Sequence, residues 1–323
     1  MFHFEILKWY EQYGRKDLPW RCFDERLKGI DRAYSVYISE IMLQQTQLNR
    51  VLERFYFPFL QKFPNLESLA KADEAEILKA WQGLGYYSRA RNLKLCASEC
   101  VRKGFLPSKV SELIKLKGIG SYTAGAIACF GYEKAVSFVD ANIKRLFSRL
   151  FALENPTQKE LETLAEKLLC RENAFDYNQA LIDLGALICT SKLAKCGICP
   201  LYDLCLGKFE ALKYPKSKKI SYEKLNLNLL ISHFNGKIAL QKSKTKLYKG
   251  LYNLPQISDE EAKNYHFIGK FKHSYTKYRL NVRVYSTENK ALKGFVPLSN
   301  LRQLPLSNLT LKALNCFNQA GLF

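Results

Sequence analysis

Four cysteines near the middle of the chain constrain its fold more than any other feature. Cys189, Cys196, Cys199 and Cys205 are separated by six, two and five residues. Four thiolates this close in sequence can converge on one centre, and soft sulfur ligands favour zinc or an iron–sulfur cluster. Structural zinc sites usually have two close cysteine pairs, whereas only one pair is close here. The spacing therefore favours a [4Fe–4S] cluster, with zinc or a chance grouping as the alternatives.

The charge balance indicates a polyanionic partner. The chain of 323 residues has 50 Lys and Arg against 30 Asp and Glu, which gives a formal net charge of +20. Such an excess is typical of proteins that bind nucleic acid through phosphate contacts and release counterions. A role in solubility alone is the alternative. No apolar run approaches the length of a membrane span, and residues 1–20 predict an amphipathic helix rather than a signal peptide.

The remaining cysteines indicate the redox environment. They are scattered in mostly apolar surroundings, which fits buried thiols in a reducing compartment better than a disulfide framework. We therefore expect a cytoplasmic protein. We also expect it to associate with the nucleoid through DNA binding, to act as a monomer and to have no membrane partner. These cysteines are Cys22, Cys96, Cys100, Cys129, Cys170 and Cys316.

Hydrophobic periodicity predicts a mostly α protein in which a helical domain precedes a smaller α+β domain. Apolar residues recur at helical spacing from residue 36 to 55 and in six later segments. The later segments are 73–82, 86–102, 121–130, 142–152, 158–170 and 175–189. We expect the helical domain to span residues 1–205.

The sequence changes character after the cysteines. Residues 207–224 include six lysines and one proline and predict an exposed linker, so we assign 206–224 to a basic linker and 225–323 to the second domain. The second domain should begin with strands, because several of its segments alternate or run apolar, and should end in a helix. The expected strands are 225–234, 237–243 and 277–287, and the expected helix is 306–322.

A glycine-bearing turn connects two predicted helices within residues 112–131. Gly118 and Gly120 allow positive φ and a close backbone approach, so amides at the start of the second helix can hold a phosphate. An ordinary helix C-cap gives the same pattern. Lys115 and Lys117 precede the turn and are expected to contact phosphates.

Two carboxylates stand out from their surroundings. Glu40 lies inside an otherwise apolar helix, with Gln44 one turn along the same face. Asp140 begins the helix that follows the glycine turn and lies off its apolar stripe. Each also has an ordinary structural interpretation: Glu40 could pair with an arginine, and Asp140 could be a helix N-cap.

Together these segments resemble the helix-hairpin-helix DNA glycosylase superfamily and, within it, most closely the adenine glycosylase (MutY) family. The resemblance spans residues 9–205 in the family's order. It implies an endonuclease III-like helical core with a [4Fe–4S] cluster held by the four cysteines. It also implies base excision repair of double-stranded DNA in which adenine opposite 8-oxoguanine or guanine is flipped out and hydrolysed from its sugar. The segments that carry it are WYEQYGRKDLPWR, SEIMLQQTQ, WQGLGYYSRARNL, LKGIGSYTAGAI, VDANIKR, YNQALIDLGALIC and the cysteine run.

The resemblance assigns catalytic roles to four residues. Glu40 corresponds to the general acid, which is needed because adenine is a poor leaving group as an anion, and burial would raise the pKa of its carboxyl. Asp140 corresponds to the carboxylate that stabilises the cationic sugar, as in other two-carboxylate glycosidases. Asn142, in the same segment, is a further catalytic candidate. Tyr122 occupies the position of the Schiff-base lysine of endonuclease III-like enzymes, and because tyrosine cannot form an imine we predict an intact abasic site as product.

Other residues match positions that contact the DNA in the family. An amide can pair with an adenine edge through two hydrogen bonds, which fits Gln179. Taken singly, each of these residues could be an ordinary core or surface residue, and only their joint order supports the assignment. The expected wedge and its neighbours are Leu43, Gln44, Gln45 and Tyr86. The expected adenine pocket comprises Leu18, Trp20, Arg21 and Gln179.

The C-terminal domain resembles the family's MutT-like (Nudix-like) domain, beginning at residues 247–257. It lacks a pyrophosphatase box, so we expect no nucleotide hydrolysis. The family loop that reads 8-oxoguanine has Phe-Ser-His, where this chain has Tyr275, Thr276 and Lys277. A lysine keeps a hydrogen-bond donor but changes its geometry and charge, so lesion recognition should be weaker.

Two other departures and two alternative functions follow from the same comparison. Residues 22–33 are longer than the family's connection, and Ala141 follows Asp140 where the family has glycine. The cluster should order its loop so that Lys192 and Lys195 face phosphates. One alternative function is a bifunctional glycosylase and lyase for oxidised pyrimidines. The other is a non-catalytic mismatch-binding protein, which would need the charge and the cluster but not the two carboxylates.

Overall fold

The computed structural model describes residues 2–216, 221–244, 248–275, 277–288 and 292–319. The backbone divides into two compact units, one of Met1–Ala70 with Leu95–Lys218 and the other of Lys71–Lys94 with Lys219–Phe323. The first unit is helical and the second contains the strands. Sequence order alone does not indicate that Lys71–Lys94 groups with the C-terminal part. The functional domain limits at residues 205 and 224 stay a prediction.

The helices follow the predicted periodicity closely. Their bounds are α1 Phe2–Tyr13, α2 Pro19–Cys22, α3 Arg32–Leu43, α4 Leu48–Arg54, α5 Tyr56–Lys62, α6 Leu66–Lys71, α7 Glu74–Ala80, α8 Ser88–Lys103, α9 Val110–Leu113, α10 Ser121–Ala126, α11 Ala141–Leu150, α12 Gln158–Lys167, α13 Ala174–Asp183, α14 Asp259–Ala262 and α15 Asn308–Gln319. Within the predicted linker, Lys208–Lys213 form a 3₁₀ helix and residues 217–220 lie outside the described part of the chain. No helix among the described residues is long and apolar enough to cross a membrane.

The predicted helix over residues 36–55 is interrupted, so the expectation of one continuous element was wrong. α3 ends at Leu43 and α4 begins at Leu48. Between them Gln45 has a φ of 56°, a left-handed conformation that a continuous right-handed helix excludes. Ile41 and Val51 on either side of the turn are both buried. The apolar period therefore continues through the break, and the sequence pattern does not reveal it.

The core of the first unit brings α1, α3, α11 and α13 together. Their buried side chains include Val36, Phe147, Tyr177 and Leu181, all within one hydrophobic cluster. Burying a large apolar side chain contributes roughly 1.5–3 kcal/mol. This cluster fixes the two helices, α3 and α11, that carry the predicted catalytic carboxylates.

A π-helical turn, Leu184–Ile188, continues α13 and ends at Cys189. A Cβ atom added to Gly185 in this turn would lie 2.7 Å from Cβ and 2.8 Å from the carbonyl oxygen of Asn142. The carbonyl oxygen of Asn142 belongs to the backbone and cannot move aside easily. Glycine is therefore required at position 185 for this close approach. The start of α11 is thereby packed directly against the segment that leads to the cysteines.

The second unit is built on a mixed sheet. Its strand order is β6-β7-β1-β2-β8, with β5 also pairing with β1, and β1 runs parallel to β7. α15 covers one face of the sheet, where Val282, Val284 and Phe317 are buried together. The strands are β1 Glu223–Phe234, β2 Lys237–Ala239, β3 Gln241–Lys242, β4 Tyr252–Asn253, β5 Gln256–Ile257, β6 His266–Tyr275, β7 Tyr278–Glu288 and β8 Phe295–Pro297.

The predicted strands are largely confirmed. β1 and β7 match the segments 225–234 and 277–287, and α15 matches the predicted terminal helix. The segment 237–243 is not one strand, because it is divided at Leu240 between β2 in the large sheet and β3 in a separate two-stranded sheet. β6 was not predicted. The C-terminal part of the chain is thus rich in strands, as expected.

Candidate active site

A cleft of about 790 Å³ lies within the first unit and is large enough for a nucleotide. Three separate parts of the sequence, α3, α10 and the start of α11, contribute Glu40, Tyr122 and Asp140 to its lining. The cleft therefore brings ten of the predicted site residues together. Those that line the cleft are Leu18, Trp20, Arg21, Glu40, Leu43, Gln44, Gln45, Tyr122, Asp140 and Asn142.

Glu40 has the environment of a protonated acid. Glu40 is only 5% exposed, and burial raises the pKa of its carboxyl to about 7. The hydrogen bond from Tyr122 lowers this pKa by a smaller amount. The charge of Asp140 adds to the rise, and that of Arg21 opposes it. Among the described residues, Glu40 accepts its side-chain hydrogen bond from Tyr122 and forms no ion pair with an arginine, although the charge of Arg21 acts on it.

Tyr122 acts as a fixed donor to this acid. Its hydroxyl donates a 2.5 Å hydrogen bond to Oε2 of Glu40. Burial raises the pKa of Tyr122 well above its usual value, so the phenol keeps its proton. Its ring packs edge-on against Phe138 with a centroid separation of 5.5 Å, which holds it in place. Because Oε2 accepts this bond, Oε1 is the oxygen left to carry a proton when the carboxyl is neutral.

Asp140 is both a helix N-cap and part of the cleft. Its Oδ1 accepts from the backbone N–H of Ile143 and its Oδ2 from the side-chain amide of Asn142, each at 2.7 Å. Burial raises the pKa of Asp140, while these hydrogen bonds favour its charged form. The positive end of the helix macrodipole favours the charged form too. The structural and the catalytic interpretations of Asp140 are therefore compatible.

The catalytic end of α11 is connected to the cysteine loop by arginines that the sequence analysis missed. Arg145 donates to Oδ1 of Asn142 at 2.9 Å and to the carbonyl oxygen of Cys189 at 2.7 Å. One turn later, Arg149 donates to Sγ of Cys189 at 3.3 Å. The available signal was their four-residue spacing on a helix whose other face is apolar. Through them a shift of the cysteine loop reaches Asp140.

The four predicted metal ligands line one cavity. Cys189, Cys196, Cys199 and Cys205 surround it together with apolar side chains that include Leu146, Ile188 and Leu201. In the part of the chain that the structure describes, no three His, Cys, Asp or Glu side chains are arranged to hold a single metal ion. Four soft thiol donors around one apolar cavity are a donor set that an iron–sulfur cluster can use, and zinc accepts the same ligands. The residues present therefore fit the expected cluster.

A buried ion-pair network supports the wall of the cleft, and its acidic member was also missed. Asp183, on α13, is fully buried and accepts hydrogen bonds from the guanidinium groups of Arg15 and Arg21. Burial alone would raise the pKa of Asp183, but the two arginines hold it below its usual range. Like Glu40, Asp183 is an acidic residue in an apolar helical run, and this was the available signal. Arg21 is thereby fixed at the cleft surface.

Gln179 lies behind this wall. It is 1% exposed, and its Oε1 accepts a 2.6 Å hydrogen bond from the hydroxyl of Tyr10. Burial raises the pKa of Tyr10, whereas the charge of Arg21, which lines the cleft, lowers it. The side-chain Nε2 of Gln179 has no hydrogen-bond partner among the described residues. A buried unpaired amide is costly, and a ligand acceptor would satisfy it.

The hairpin and the wedge residues have mixed outcomes. Gly118 has a φ of 85°, as predicted, but Gly120 has a φ of −94° and does not adopt the left-handed conformation. Gly120 caps the start of α10, where a Cβ would meet nothing within 4 Å, so a partner can still approach closely. Gln45 is exposed in the turn after α3. Tyr86 belongs to the second unit, where it is 45% exposed.

The remaining expected DNA contacts lie on the surface or in the second unit. Lys192 and Lys195 are exposed. Tyr275 ends β6, where its ring packs against Tyr278 with a centroid separation of 5.3 Å. Lys277 is exposed and pairs with Glu223 at 2.5 Å. Thr276 lies outside the described residues.

Comparison with known proteins identifies the family of the chain. Residues 38–171 match the HhH-GPD superfamily of base excision DNA repair proteins. An adenine DNA glycosylase of Buchnera aphidicola subsp. Baizongia pistaciae is 34% identical over 325 residues, which cover 90% of each chain. The chain belongs to the adenine DNA glycosylase family. The human adenine DNA glycosylase is 40% identical over 216 residues, which cover 64% of this chain and 39% of the human protein.

Solved structures support the family's helical core. A thermostable thymine-DNA glycosylase superposes with a TM-score of 0.58 at 30% identity, over 65% of this chain and 95% of its own. Endonuclease III in a non-covalent DNA complex gives a TM-score of 0.54 at 20% identity, over 66% and 95%. This adenine DNA glycosylase family member is a DNA N-glycosylase of base excision repair, and DNA is its partner.

The Glu40–Tyr122 pair predicts a specific pH dependence. Excision measured under single-turnover conditions should decline as pH rises through about 7, because Glu40 then loses its proton. The hydrogen bond from Tyr122 lowers the pKa of Glu40, so Tyr122→Phe should move this alkaline decline to higher pH. Tyr132→Phe removes a hydroxyl that bonds to the carbonyl oxygen of Leu106 instead and should leave the profile unchanged. A decline that stays in place in Tyr122→Phe would contradict the role of the pair.

Proposed function

We propose that this enzyme hydrolyses the glycosidic bond of adenine where adenine lies opposite 8-oxoguanine or guanine, and that it leaves the DNA strand intact. The observation that carries the proposal is the pairing of Glu40 and Asp140 in one cleft with different environments. Glu40 is buried and the pKa of its carboxyl is raised to about 7, whereas Asp140 accepts two hydrogen bonds at the start of a helix. Two carboxyl groups with separated acidities are the usual arrangement for protonating a leaving group and stabilising a glycosyl cation.

The proposed reaction begins with adenine flipped out of the duplex into the cleft, which costs a few kcal/mol of unstacking. Glu40 donates its proton to a ring nitrogen of adenine while the glycosidic bond breaks. Ionised Asp140 stabilises the positive sugar until water adds, and the product is an abasic site. Gln179 supports adenine as the substrate, because its unpaired Nε2 can donate to a ring nitrogen of the base.

The proposed absence of lyase activity depends on Tyr122. A lyase needs an amine at the sugar, and the position that would supply it is a phenol. Lys144 is the lysine among the residues that line the cleft within the described chain, so it is the residue to examine for any imine formation. If borohydride traps an adduct, Lys144→Ala should abolish the trapping. Efficient trapping in the unmodified enzyme would favour the bifunctional alternative, and its loss in Lys144→Ala would identify Lys144 as the amine.

A duplex with adenine opposite 8-oxoguanine tests the activity and the two carboxylates together. Product strands should appear after hot alkali and not before it. Glu40→Gln and Asp140→Asn should each reduce single-turnover excision by more than ~100-fold, equivalent to about 2.7 kcal/mol. Both should still bind the duplex, because phosphate contacts supply most of the affinity.

The controls for this assay are exposed carboxylates. Glu133→Gln and Asp203→Asn make the same chemical changes at the surface and should leave excision unchanged. Excision within about tenfold of the unmodified enzyme in either Glu40→Gln or Asp140→Asn would remove that residue from the proposed mechanism. Strand cleavage before alkali at the rate of excision would show a bifunctional enzyme.

The four cysteines are proposed to bind a [4Fe–4S] cluster with a structural role. The support is a shared cavity of soft thiol donors, with a guanidinium donor from Arg149 to the sulfur of Cys189. A bound cluster would supply cross-links between these thiolates, and the residues from Cys189 to Cys205 would be ordered around it. Arg145 and Arg149 hold the first cysteine against the catalytic helix.

Iron analysis tests this part of the proposal without relying on activity. Anaerobically purified protein should contain about four irons per chain and absorb broadly in the visible. Cys199→Ser should lose iron and thermal stability together, because metal binding and local folding are coupled. Cys316→Ser, a matched change in the second unit, should keep the iron. Stoichiometric zinc in place of iron would overturn the assignment.

The C-terminal part is proposed to be a MutT-like domain whose β6–β7 turn reads 8-oxoguanine. It is supported by the position of Lys277 in that turn, next to Tyr275. 8-oxoguanine differs from guanine only at C8 and N7, so one or two hydrogen bonds must carry the preference.

Thr276→Ala and Lys277→Ala test lesion reading. Each should reduce the preference for 8-oxoguanine over guanine by about fivefold, as expected for a contact of ~1 kcal/mol. Lys263→Ala is the control, since Lys263 is also an exposed lysine paired with a glutamate. An equal loss of affinity on both duplexes, with preference unchanged, would leave this turn as a charge contact only.

Two further aspects complete the proposal. None of the ten cysteines, all of which lie within the described residues, is in a disulfide, which supports a reducing cytoplasm as the place of action. We also infer a monomer acting on duplex DNA, because one chain supplies both carboxylates and the cleft.

A further inference from the structure

The open side of the β6–β7–β1 sheet presents a regular array of cations. α15 packs on the other side, where the alternate residues Leu280, Val282 and Val284 are buried. On the open side, Arg279, Asn281 and Arg283 of β7 are charged or polar, and the same is true of their cross-strand neighbours on β6 and β1. We call the array the basic sheet face, and it consists of Lys224, Lys270, Lys272, Arg279 and Arg283.

The strand register places like charges directly opposite one another. Lys270 on β6 is the cross-strand partner of Arg283 on β7. Four residues away along β7, Arg279 is the cross-strand partner of Lys224 on β1. Directly opposed like charges destabilise a sheet, so two such pairs on one face cost folding free energy. Folding stability therefore does not account for them.

Local contacts do not neutralise this charge. Arg283 has one acidic neighbour, Asp259, at 3.7 Å, and both side chains are more than half exposed, so the pair contributes little. Arg279 stacks on the ring of Tyr222 at 3.8 Å, which orients its guanidinium without cancelling its charge. In the described residues, neither Lys270 nor Lys272 has an ion-pair partner.

A shallow groove runs between the charged rows. It has a volume of about 510 Å³ and is lined by Lys270, Lys272 and Arg283 together with two asparagines. Asn281 donates to Oδ1 of Asn226 at 3.2 Å, so the asparagine row between the two cationic rows also offers polar groups. Neutral donors beside cations are what phosphate oxygens and sugar hydroxyls require of a protein surface.

We propose that the basic sheet face binds the phosphate backbone of duplex DNA. The rows of Arg279 and Arg283 are four residues apart on β7, which corresponds to ~13 Å along a strand. About four phosphates of one DNA strand occupy that axial length. The proposal needs DNA as the partner, but it does not depend on adenine or 8-oxoguanine being recognised.

Charge for solubility alone does not account for the arrangement. Solubility is served by cations dispersed over the surface and interspersed with acids, without the cost of opposed like charges. Here the cations lie in register on one exposed face, and the acid that contacts them is Asp259. A linear polyanion fits this pattern because it can neutralise every row simultaneously.

The test compares two pairs of lysine substitutions in the full chain, in a Glu40→Gln background that cannot turn over substrate. One variant combines Lys270→Gln with Lys272→Gln. The control combines Lys237→Gln with Lys293→Gln, which removes the same charge from exposed positions of the same unit outside the basic sheet face. Dissociation constants are measured against salt concentration with duplexes that contain or lack the lesion.

The Lys270/Lys272 variant should reduce the slope of log K against log salt by ~1.8, since each lost phosphate contact accounts for ~0.9. The reduction should be the same on both duplexes, because backbone contacts carry no base information. The control should change the slope much less. An equal change in the control, an unchanged slope, or a loss confined to the lesion duplex would each overturn the proposal.

Thermal unfolding of the same variants separates this role from a structural one. Lys270→Gln removes the repulsion with Arg283, so the double variant should be as stable as its parent or more stable, although it binds DNA less tightly. A fall in melting temperature along with affinity would indicate a structural role and contradict the proposal. Failure of adenine excision would contradict the proposed function and leave this binding test unaffected.

Discussion

The close packing of α11 against the turn that leads to the cysteines is the constraint on which the active site depends. Gly185 permits this contact because a side chain there would collide with the backbone of Asn142. Asp140 caps the start of α11, whose arginines bond to the carbonyl oxygen and sulfur of Cys189. A bound cluster would therefore help to hold Asp140, the carboxylate proposed to stabilise the sugar, in place through α11.

The two carboxylates can do opposite work because the fold surrounds them differently. Glu40 is in the middle of a buried helix, where backbone amides are already used, and its donor is a single phenol. Asp140 is at the start of a helix, where free N–H groups and the macrodipole favour negative charge. Position along a helix thus separates acid from anion, and no metal or second base is needed for that separation.

How much of the site the sequence predicts depends on whether the signal is local. Glu40 and Asp140 are recognisable because a carboxylate interrupts an apolar pattern or precedes one. The turn at Gln45 is invisible because both flanking helices keep the buried period. Asp183 interrupts an apolar run as Glu40 does, but its partner Arg15 is 168 positions away, so the sequence does not reveal the ion-pair network. β6 is missed because its buried and exposed residues alternate weakly, and only its pairing with β7 defines it as a strand.

Three features of this structure contradict simple stability rules, and each one belongs to a proposed DNA contact. Glu40 is a buried ionisable group, Nε2 of Gln179 is buried without a partner among the described residues, and Lys270 faces Arg283 directly. Protein contacts compensate them only in part, since Tyr122 donates to Glu40 and Asp259 lies beside Arg283. The proposed DNA complex supplies each with a further partner of definite chemistry: a base that accepts a proton, a base edge that accepts a hydrogen bond, and a phosphate. Departures from local consistency concentrate at functional sites because substrate supplies the interaction that folding leaves out. The cost to stability is therefore an indicator of the ligand, and in this chain the three indicators correspond to the two chemical groups of DNA, a base and a phosphate.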